Sequence, residues 1–281
     1  MPCPLPTWSD FARSPAESQR GELWEGLAGA WVPALGPSGN SLVDLSPWRH
    51  HATSSGPRWT AGAPGSVLSY NGSSDYSDAG RSSLWAFTTE PFSLECWFNV
   101  ALMVEGQPFG RGTPVDLTPY FFWVMAGCIR FYVCDGSGWG FAQAALPGTD
   151  RWCHVVGTRS GTALNIYLNG VLQNAGTGFT TLCNIDCPLT IGCGAYANDV
   201  KHGFFNGSIA LAAIYRRAMT APEVAERYAD PLGWLRRWRR RGESLGAVGG
   251  PYRLAAAETF PTGARRGQLF HTGPRAGMID G

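Results

Sequence analysis

The chain has 281 residues and a formal net charge of +1, and its charged residues make up 15% of the total. Soluble domains usually carry about a quarter charged residues, and this length holds one large all-β domain or two small ones. The small net charge excludes a general attraction to nucleic acid or to an acidic membrane surface. The 37 glycines, 20 prolines and 12% aromatic residues are instead typical of a turn-rich β protein.

The first residues carry no export or membrane signal. MPCPLPTWSDFARSPAESQRGELWEG lacks the basic start and the apolar centre of a secretory signal. The chain has no apolar run of the ~20 residues that cross a bilayer. We therefore expect a soluble protein with no membrane partner, and we predict that residues 1–23 form a proline-rich arm.

Apolar runs of strand length recur through the middle of the chain, with Gly, Asn, Asp and Pro between them. The runs are SVLSYNG, SSLWAFTT, FSLECWFNV, YFFWVMAG, IRFYVCDG, WGFAQAAL, RWCHVVGTR, ALNIYLNGVL, PLTIGCG and FFNGSIALAAIYRRAM. Strands at such short intervals, without helices alternating between them, indicate an antiparallel sandwich or jelly roll.

Three consecutive strands are predicted to form a meander. In ALNIYL, residues 163–168, apolar and polar positions alternate, which predicts one buried face. Asn169-Gly170 supplies the two positive-φ residues of a type I′ hairpin turn, and Ser160-Gly161 is predicted to turn the chain before it.

One helix is predicted in MTAPEVAERYADP. Thr220 is placed to cap its start, Pro222 lies in the first turn, Glu223 has the spacing of a capping box, and Pro231 ends it. The helix is short, and we expect it to pack on the edge or end of the sandwich.

From Leu232 the composition changes to an Arg/Trp run, a Gly-rich break and a weak repeat, TGARRGQLFH and TGPRAGMIDG. The run is predicted to dock a protein partner, or else to pack its tryptophans on its own domain, since one short run does not make a nucleic-acid groove. The repeat suits an arm that docks on a neighbouring subunit. The docking residues are Trp234, Arg236, Arg237, Trp238, Arg239, Arg240 and Arg241.

Several stretches, taken in chain order, resemble the laminin-G-like, concanavalin A-like jelly-roll family, which is related to pentraxins and occurs in phage and bacterial surface proteins. They are GLAGAWVPALGPSGNSLVDLSPWRHHAT, LSYNGSSDY, FSLECWFNV, RWCHVVGTRSGTALNIYLNGVLQ and FFNGSIALAAIYRRAMTAPEVAERY. The resemblance implies an all-β antiparallel jelly-roll sandwich with a short C-terminal helix over residues 24–231, and the composition after it predicts an extended arm over residues 232–281. The resemblance says little about function, because proteins with this fold have many different functions.

The chain departs from the calcium-binding pattern of that family. Where relatives carry an acidic pair, this chain has Ala210 and Leu211, and only Asp44 of the early loop remains. Calcium requires six or more oxygen ligands. We therefore expect calcium at Asp44 to be weak or absent, and we expect no other cofactor.

The sequence offers little catalytic chemistry. A glycosidase needs two carboxylates, but the corresponding strand holds Glu95 alone, which we expect to be exposed or on an edge strand. Cys153 and His154 are adjacent in a strand and point to opposite faces, so His154 is predicted to be structural. His50 and His51 are interpreted as a loop pair. We predict no enzyme, no catalytic residue and no metal site.

The cysteines fall into two groups, apart from Cys3. Those in strand-like runs are predicted to be buried thiols: Cys96, Cys128, Cys134 and Cys153. Cys183, Cys187 and Cys193 fit a local disulfide or part of a zinc site, although their spacing is not a common finger spacing.

Two functional hypotheses follow. The first is a non-catalytic tailed-phage virion component, a capsid decoration or fibre-like protein. It would be a homo-oligomer that contacts the major capsid protein or neighbouring copies. The second is a bacterial carbohydrate-binding or adhesion module, extracellular or on the cell surface, that binds glycan. Its candidate sugar-stacking residues are Trp123, Trp139 and Tyr196, whose alternative role is in the core.

Overall fold

A computed structural model describes residues 25–62, 65–114 and 116–232. These residues form two large antiparallel sheets packed face to face, a two-stranded ribbon and one α-helix. The all-β sandwich predicted from the sequence is confirmed. The Arg/Trp run, the C-terminal repeat and the N-terminal arm lie outside the described residues.

The first sheet contains eight strands. They are β1 (Leu27–Trp31), β4 (Arg58–Gly62), β5 (Gly65–Asn71), β7 (Phe92–Val100), β12 (Trp152–Ser160), β13 (Ala163–Leu168), β14 (Val171–Thr177) and β18 (Asn206–Tyr215). Their order is β14-β13-β12-β7-β18-β5-β4, and β1 also pairs with β18.

The second sheet also contains eight strands. They are β2 (Ser41–Leu42), β3 (Ala52–Ser55), β6 (Tyr76–Asp78), β8 (Phe109–Arg111), β9 (Tyr120–Met125), β10 (Cys128–Cys134), β11 (Trp139–Ala145) and β15 (Leu189–Ile191). Their order is β11-β10-β9-β8-β15-β6-β3-β2. A ribbon of β16 (Gly194–Ala195) and β17 (Lys201–His202) lies outside both sheets, and helix α1 spans Ala221–Ala229.

Most predicted strands and the meander are confirmed, but one strand is wrong. The run SSLWAFTT forms a 3₁₀ turn at Ser83–Trp85, because the Ser82 hydroxyl accepts the Leu84 N–H and the buried Trp85 ring turns the chain inward. The Asn169-Gly170 turn is confirmed, with φ of 51° and 80°. The preceding turn comes one residue later than predicted, since Ser160 is still in β12 and Gly161 has φ 58°.

The space between the sheets holds the larger core. Alternate residues of β7, from Phe92 to Val100, point into it, and Phe122 and Phe131 face them from the second sheet. Phe131 packs so tightly on β12 that a Cβ on Gly157 would lie 2.5 Å from its ring. Real Cβ atoms do not approach so closely, so the Phe131 ring requires glycine at that position.

A second core covers the outer face of the first sheet. Trp97, Ala210 and Leu211 are buried there, together with Val224 of α1. The Trp97 ring stacks on Tyr228 of the helix, with ring centroids 5.7 Å apart and planes 9° apart. The helix contacts the edge strand β14, as expected, and it also reaches across this face to strand β7 in the middle of the sheet.

Glu95 is the centre of that contact, and the expectation that it is exposed or on an edge strand is wrong. Its side chain is fully buried on β7, and Arg227 of α1 binds both carboxylate oxygens at distances of 2.7 to 3.1 Å. His154 Nε2 lies 3.0 Å from Oε1, and the Tyr215 hydroxyl donates to Oε2 at 3.4 Å. The helix brings the partner that makes burial of this charge tolerable.

The same contacts set the protonation states. Burial alone would raise the pKa of Glu95, but Arg227 and His154 outweigh it and lower the pKa to about 2. Burial lowers the pKa of His154, so its imidazole is neutral and donates Nε2–H to the carboxylate. His154 is therefore structural, as predicted, and Cys153 points the other way into the larger core.

Removing one partner of the Glu95–Arg227 pair is expected to destabilise the fold strongly. Arg227→Met or Glu95→Gln leaves a buried charge without its partner, which costs about 3–5 kcal/mol in unfolding free energy. The double variant is expected to lose less than the sum of the single losses, because no buried charge remains. Denaturant unfolding of all four proteins measures this cycle.

Arg217→Met is the matched control, since Arg217 pairs with Glu223 at the partly exposed start of the same helix. That change is expected to cost no more than about 1 kcal/mol. Equal losses in Arg227→Met and Arg217→Met would contradict the central role of the buried pair.

The His154 pKa predicts a pH dependence of stability. Its folded pKa lies below the unfolded value of about 6.5, so protons bind preferentially to the unfolded chain as the pH falls below that value. His154 then removes up to about 1.4 kcal/mol of stability per pH unit. The stability that comes from the lowered pKa of Glu95 persists to lower pH, and it is lost as the pH falls from about 4.5 towards 2.

Unfolding free energies between pH 7.5 and pH 5 in wild type and His154→Gln test this prediction. Asp44, His50 and His51 are present in both proteins and contribute equally to the two slopes, so the difference between the slopes isolates His154. Identical slopes would show that His154 contributes nothing.

Candidate functional site

The loop around Asp44 is an internal scaffold. The buried Asp44 carboxylate accepts the backbone N–H groups of Ala30, Ser46 and His50, each at 2.8 Å, and the Ser46 hydroxyl at 2.7 Å. Burial raises the pKa of Asp44 to about 6 although these hydrogen bonds oppose the rise. Four donors occupy the lone pairs of the two oxygens, so the carboxylate orders the loop.

The histidines and cysteines of the described residues do not form a metal site or a disulfide, although the Cys134 and Cys183 thiols contact each other. His51 Nδ1 accepts the Asp44 N–H at 3.1 Å, and the His50 ring packs edge-on against Trp85, as expected of a loop pair. All seven cysteines of the described residues are free thiols. Within this part of the chain no three or more His, Cys, Asp or Glu side chains are grouped to hold a metal ion.

Strands β9, β10 and β11 present an aromatic outer face on the second sheet. Alternate residues of these strands point away from the core, and they pair across the sheet in register. Tyr132 lies between Phe121 and Phe141, while Arg130 lies between Trp123 and Gln143. The ribbon adds two rings at one end. We call the following rings the aromatic strip: Phe121, Trp123, Tyr132, Trp139, Phe141, Tyr196 and His202.

The strip is continuous. Each ring lies within 6.4 Å of the next, measured between centroids. The contacts run from Tyr196 to His202 (5.9 Å), Trp123 (6.4 Å), Phe121 (6.3 Å), Tyr132 (5.4 Å) and Phe141 (5.4 Å), with Trp139 5.3 Å from Phe121. The three sequence candidates for sugar stacking therefore lie on one surface.

The rings differ in accessibility. Phe141 is 40% exposed, whereas Phe121 is fully buried and Trp123 is 4% exposed because Gly203 and the parallel His202 ring cover it. Trp139 and Tyr196 are half-buried. Trp123 thus forms the floor of the strip, and the other two candidates lie at its surface.

Arg130 supplies the polar centre of the strip. Its Nε donates to Gln143 Oε1 at 3.0 Å, and its Nη1 donates to the Tyr132 hydroxyl at 2.7 Å. The hydrogen bond with Tyr132 raises the pKa of Arg130, and the guanidinium carbon lies 4.5 Å from the centroid of Phe141. Aromatic faces and fixed hydrogen-bonding groups therefore stand side by side.

Sequence reasoning missed four rings of the strip and Arg130. Phe121 and Phe141 each stand two positions from a predicted candidate, and strand alternation places such residues on the same face. That signal was available. The pairing of β9 with β10 and the approach of the ribbon were not, because they depend on the tertiary fold. The predicted docking residues Trp234 to Arg241 lie outside the described residues.

The sequence model of the concanavalin A-like lectin/glucanases superfamily matches residues 71–225, which are 155 of the 281 residues. The chain belongs to this superfamily. The match contains all of β9, β10 and β11, and it confirms the family resemblance found in the sequence. No curated protein sequence matches the chain.

Solved structures share the superfamily fold. The binding domain of Paraclostridial Mosquitocidal Protein 1 has a TM-score of 0.57 and 16% identity over 75% of this chain and 53% of its own. Domain 4 of AbnA, a GH43 extracellular arabinanase from Geobacillus stearothermophilus, was solved with arabinotriose, with a TM-score of 0.53 and 16% identity over 71% of this chain and 97% of its own. The binding domain of Botulinum neurotoxin DC, in complex with SialylT, has a TM-score of 0.57 and 14% identity over 74% of this chain and 52% of its own.

This chain thus spans about half the length of the first and third of these structures and nearly all of the arabinanase domain. At such identities the likeness concerns the fold. Among the described residues, no helix combines the length and apolar character needed to span a membrane.

Proposed function

We propose that this protein is a non-catalytic glycan-binding module and that the aromatic strip is its sugar platform. The observation that carries the proposal is the combination of accessible rings with a fixed polar centre at Arg130, Gln143 and Tyr132. A sugar ring has an apolar C–H face that packs on an aromatic ring and hydroxyls at its rim that require hydrogen-bonding partners.

The arrangement of carboxylates supports binding rather than hydrolysis. Glycosidases place two carboxyl groups on either side of the bond they cleave. Strands β9, β10 and β11 contain no Asp or Glu, and Glu95 is sealed under α1 on the opposite side of the sandwich by Arg227. The strip therefore has the groups that hold a sugar and lacks the pair that cleaves one.

The similar structures give independent support. Domain 4 of AbnA, matched over 97% of its length, was solved with arabinotriose, and the neurotoxin binding domain, matched over 52% of its length, was solved with SialylT. By analogy, the partner of this protein is a glycan outside the cell or at a cell surface.

The role in a tailed-phage virion remains a prediction. It depends on the Arg/Trp run and on the repeats of residues 232–281, of which the structure describes Leu232 alone. A virion protein with this jelly roll would still present the aromatic strip, so assembly and glycan binding are compatible.

Truncating the accessible rings is expected to weaken glycan binding. Trp139→Ala and Phe141→Ala each remove a stacking contact of about 0.5–1.5 kcal/mol, equivalent to about 2- to 12-fold in Kd, in addition to the lost apolar contact area. Titration calorimetry with the best ligand from a glycan array measures the change.

Leu172→Ala is the matched control, because Leu172 is an exposed apolar residue on β14 in the other sheet. The Leu172→Ala protein is expected to bind the glycan with the same Kd as wild type. A full array without any bound glycan, or an equal loss in the control, would contradict the proposed platform.

The assembly hypothesis predicts that the full chain is an oligomer and that a chain truncated after residue 232 is a monomer. Leu232 is retained because it is buried in the second core. Light scattering of both proteins in reducing and non-reducing buffer measures their mass. A monomeric full-length chain would remove the support for a virion role.

A further inference from the structure

Arg130 is the single charged side chain on strands β9, β10 and β11. Its direct cross-strand neighbours, Trp123 and Gln143, carry no charge, and among the described residues it makes no ion pair. A lone positive charge on an apolar sheet face is unusual, because arginines on structural surfaces are normally solvated or paired.

The guanidinium is held in place and has donors to spare. Gln143 and the Tyr132 hydroxyl take two of its five N–H groups, and Phe141 stacks against its plane at 4.5 Å. The Cys128 thiol is a further, weak hydrogen-bond partner of Arg130, so the five N–H groups have two oxygen acceptors and one sulfur among the described residues. A rigid guanidinium edge of this kind matches the two oxygens of a carboxylate.

The aromatic rings beside Arg130 determine which class of carboxylate ligand the surface matches. Phe141 lies against Arg130 and is partly exposed, and the half-buried Trp139 lies farther along the strip against Tyr132. An acidic sugar combines an apolar ring face with a carboxylate at its rim. A simple acidic peptide would satisfy Arg130 but leave the rings without a partner. A neutral sugar would cover the rings and leave the charge unpaired.

We propose that the strip selects carboxylate-bearing glycans, such as uronic or sialic acids, and that Arg130 is the residue that determines this specificity. This inference rests on the proposed function, because it names the class of sugar for the same site. The carboxylate pairs with the remaining N–H groups of Arg130 while the sugar ring stacks on the neighbouring aromatic residues.

The test uses pairs of probes that differ only in the acid group. Oligogalacturonate is compared with its carboxyl-reduced, neutral derivative, and sialyllactose is compared with lactose. Wild type is expected to bind an acidic probe about 10-fold or more tightly than its neutral counterpart, as a charge-assisted pair predicts. Added salt is expected to reduce the ratio of acidic to neutral affinity, because the Debye length falls from about 30 Å at 0.01 M to about 3 Å at 1 M.

Arg130→Gln is expected to bring the ratio of acidic to neutral affinity to about 1 while neutral binding persists. Arg130→Lys keeps the charge without the planar edge and is expected to restore part of the ratio. Arg151→Gln removes an exposed arginine outside the strip and serves as the matched control. Thermal unfolding of each variant confirms that the fold is retained.

The outcomes separate the two proposals. Glycan binding that depends on Trp139 and Phe141 but ignores the acid group, or a ratio unchanged in Arg130→Gln, would overturn this inference and leave the glycan platform standing. Failure to bind any glycan, acidic or neutral, would overturn both. Binding of acidic peptides in place of sugars would overturn both as well and assign the strip to a protein partner.

Discussion

The contact between Glu95 and Arg227 is the constraint on which the rest of the structure depends. Both side chains are fully buried, and each makes the burial of the other tolerable. The pair joins the middle of the first sheet to a helix that comes more than a hundred residues later in the chain. Around it, Trp97, His154 and Tyr228 stack into one layer, so the helix is held in a single position on the sheet.

That position makes the two outer faces of the sandwich unequal. The first sheet has a core on both sides, and its outer face is occupied by α1. Along β9, β10 and β11 the second sheet keeps rings at its surface, although such rings would be as well suited to a core. Among the described residues no helix covers this face, and the hydrogen-bonding groups of Arg130, Gln143 and Tyr132 stand beside its rings.

The closed edge beside the strip keeps this surface in place. At that edge β11 of the second sheet meets β14 of the first, and a Cβ on Gly176 would lie 2.1 Å from the Phe141 carbonyl oxygen. Only glycine permits this approach. The backbone that carries Phe141 is therefore packed against the opposite sheet, which gives the accessible ring of the strip a rigid support.

Local sequence determined the strand rhythm, the Asn169-Gly170 turn and the Thr220 helix start, because alternation, positive φ and capping act between residues that are close in the chain. It also suggested Trp123, Trp139 and Tyr196 as stacking rings, with a place in the core as the alternative for each. Only the tertiary structure decided that Glu95 is buried, since its partner Arg227 is remote in sequence. Likewise, only the tertiary structure placed Trp123 beneath His202 and Arg130 among the rings. Strand pairing and loop docking bring together residues that are distant in the chain, and local sequence patterns do not show such contacts.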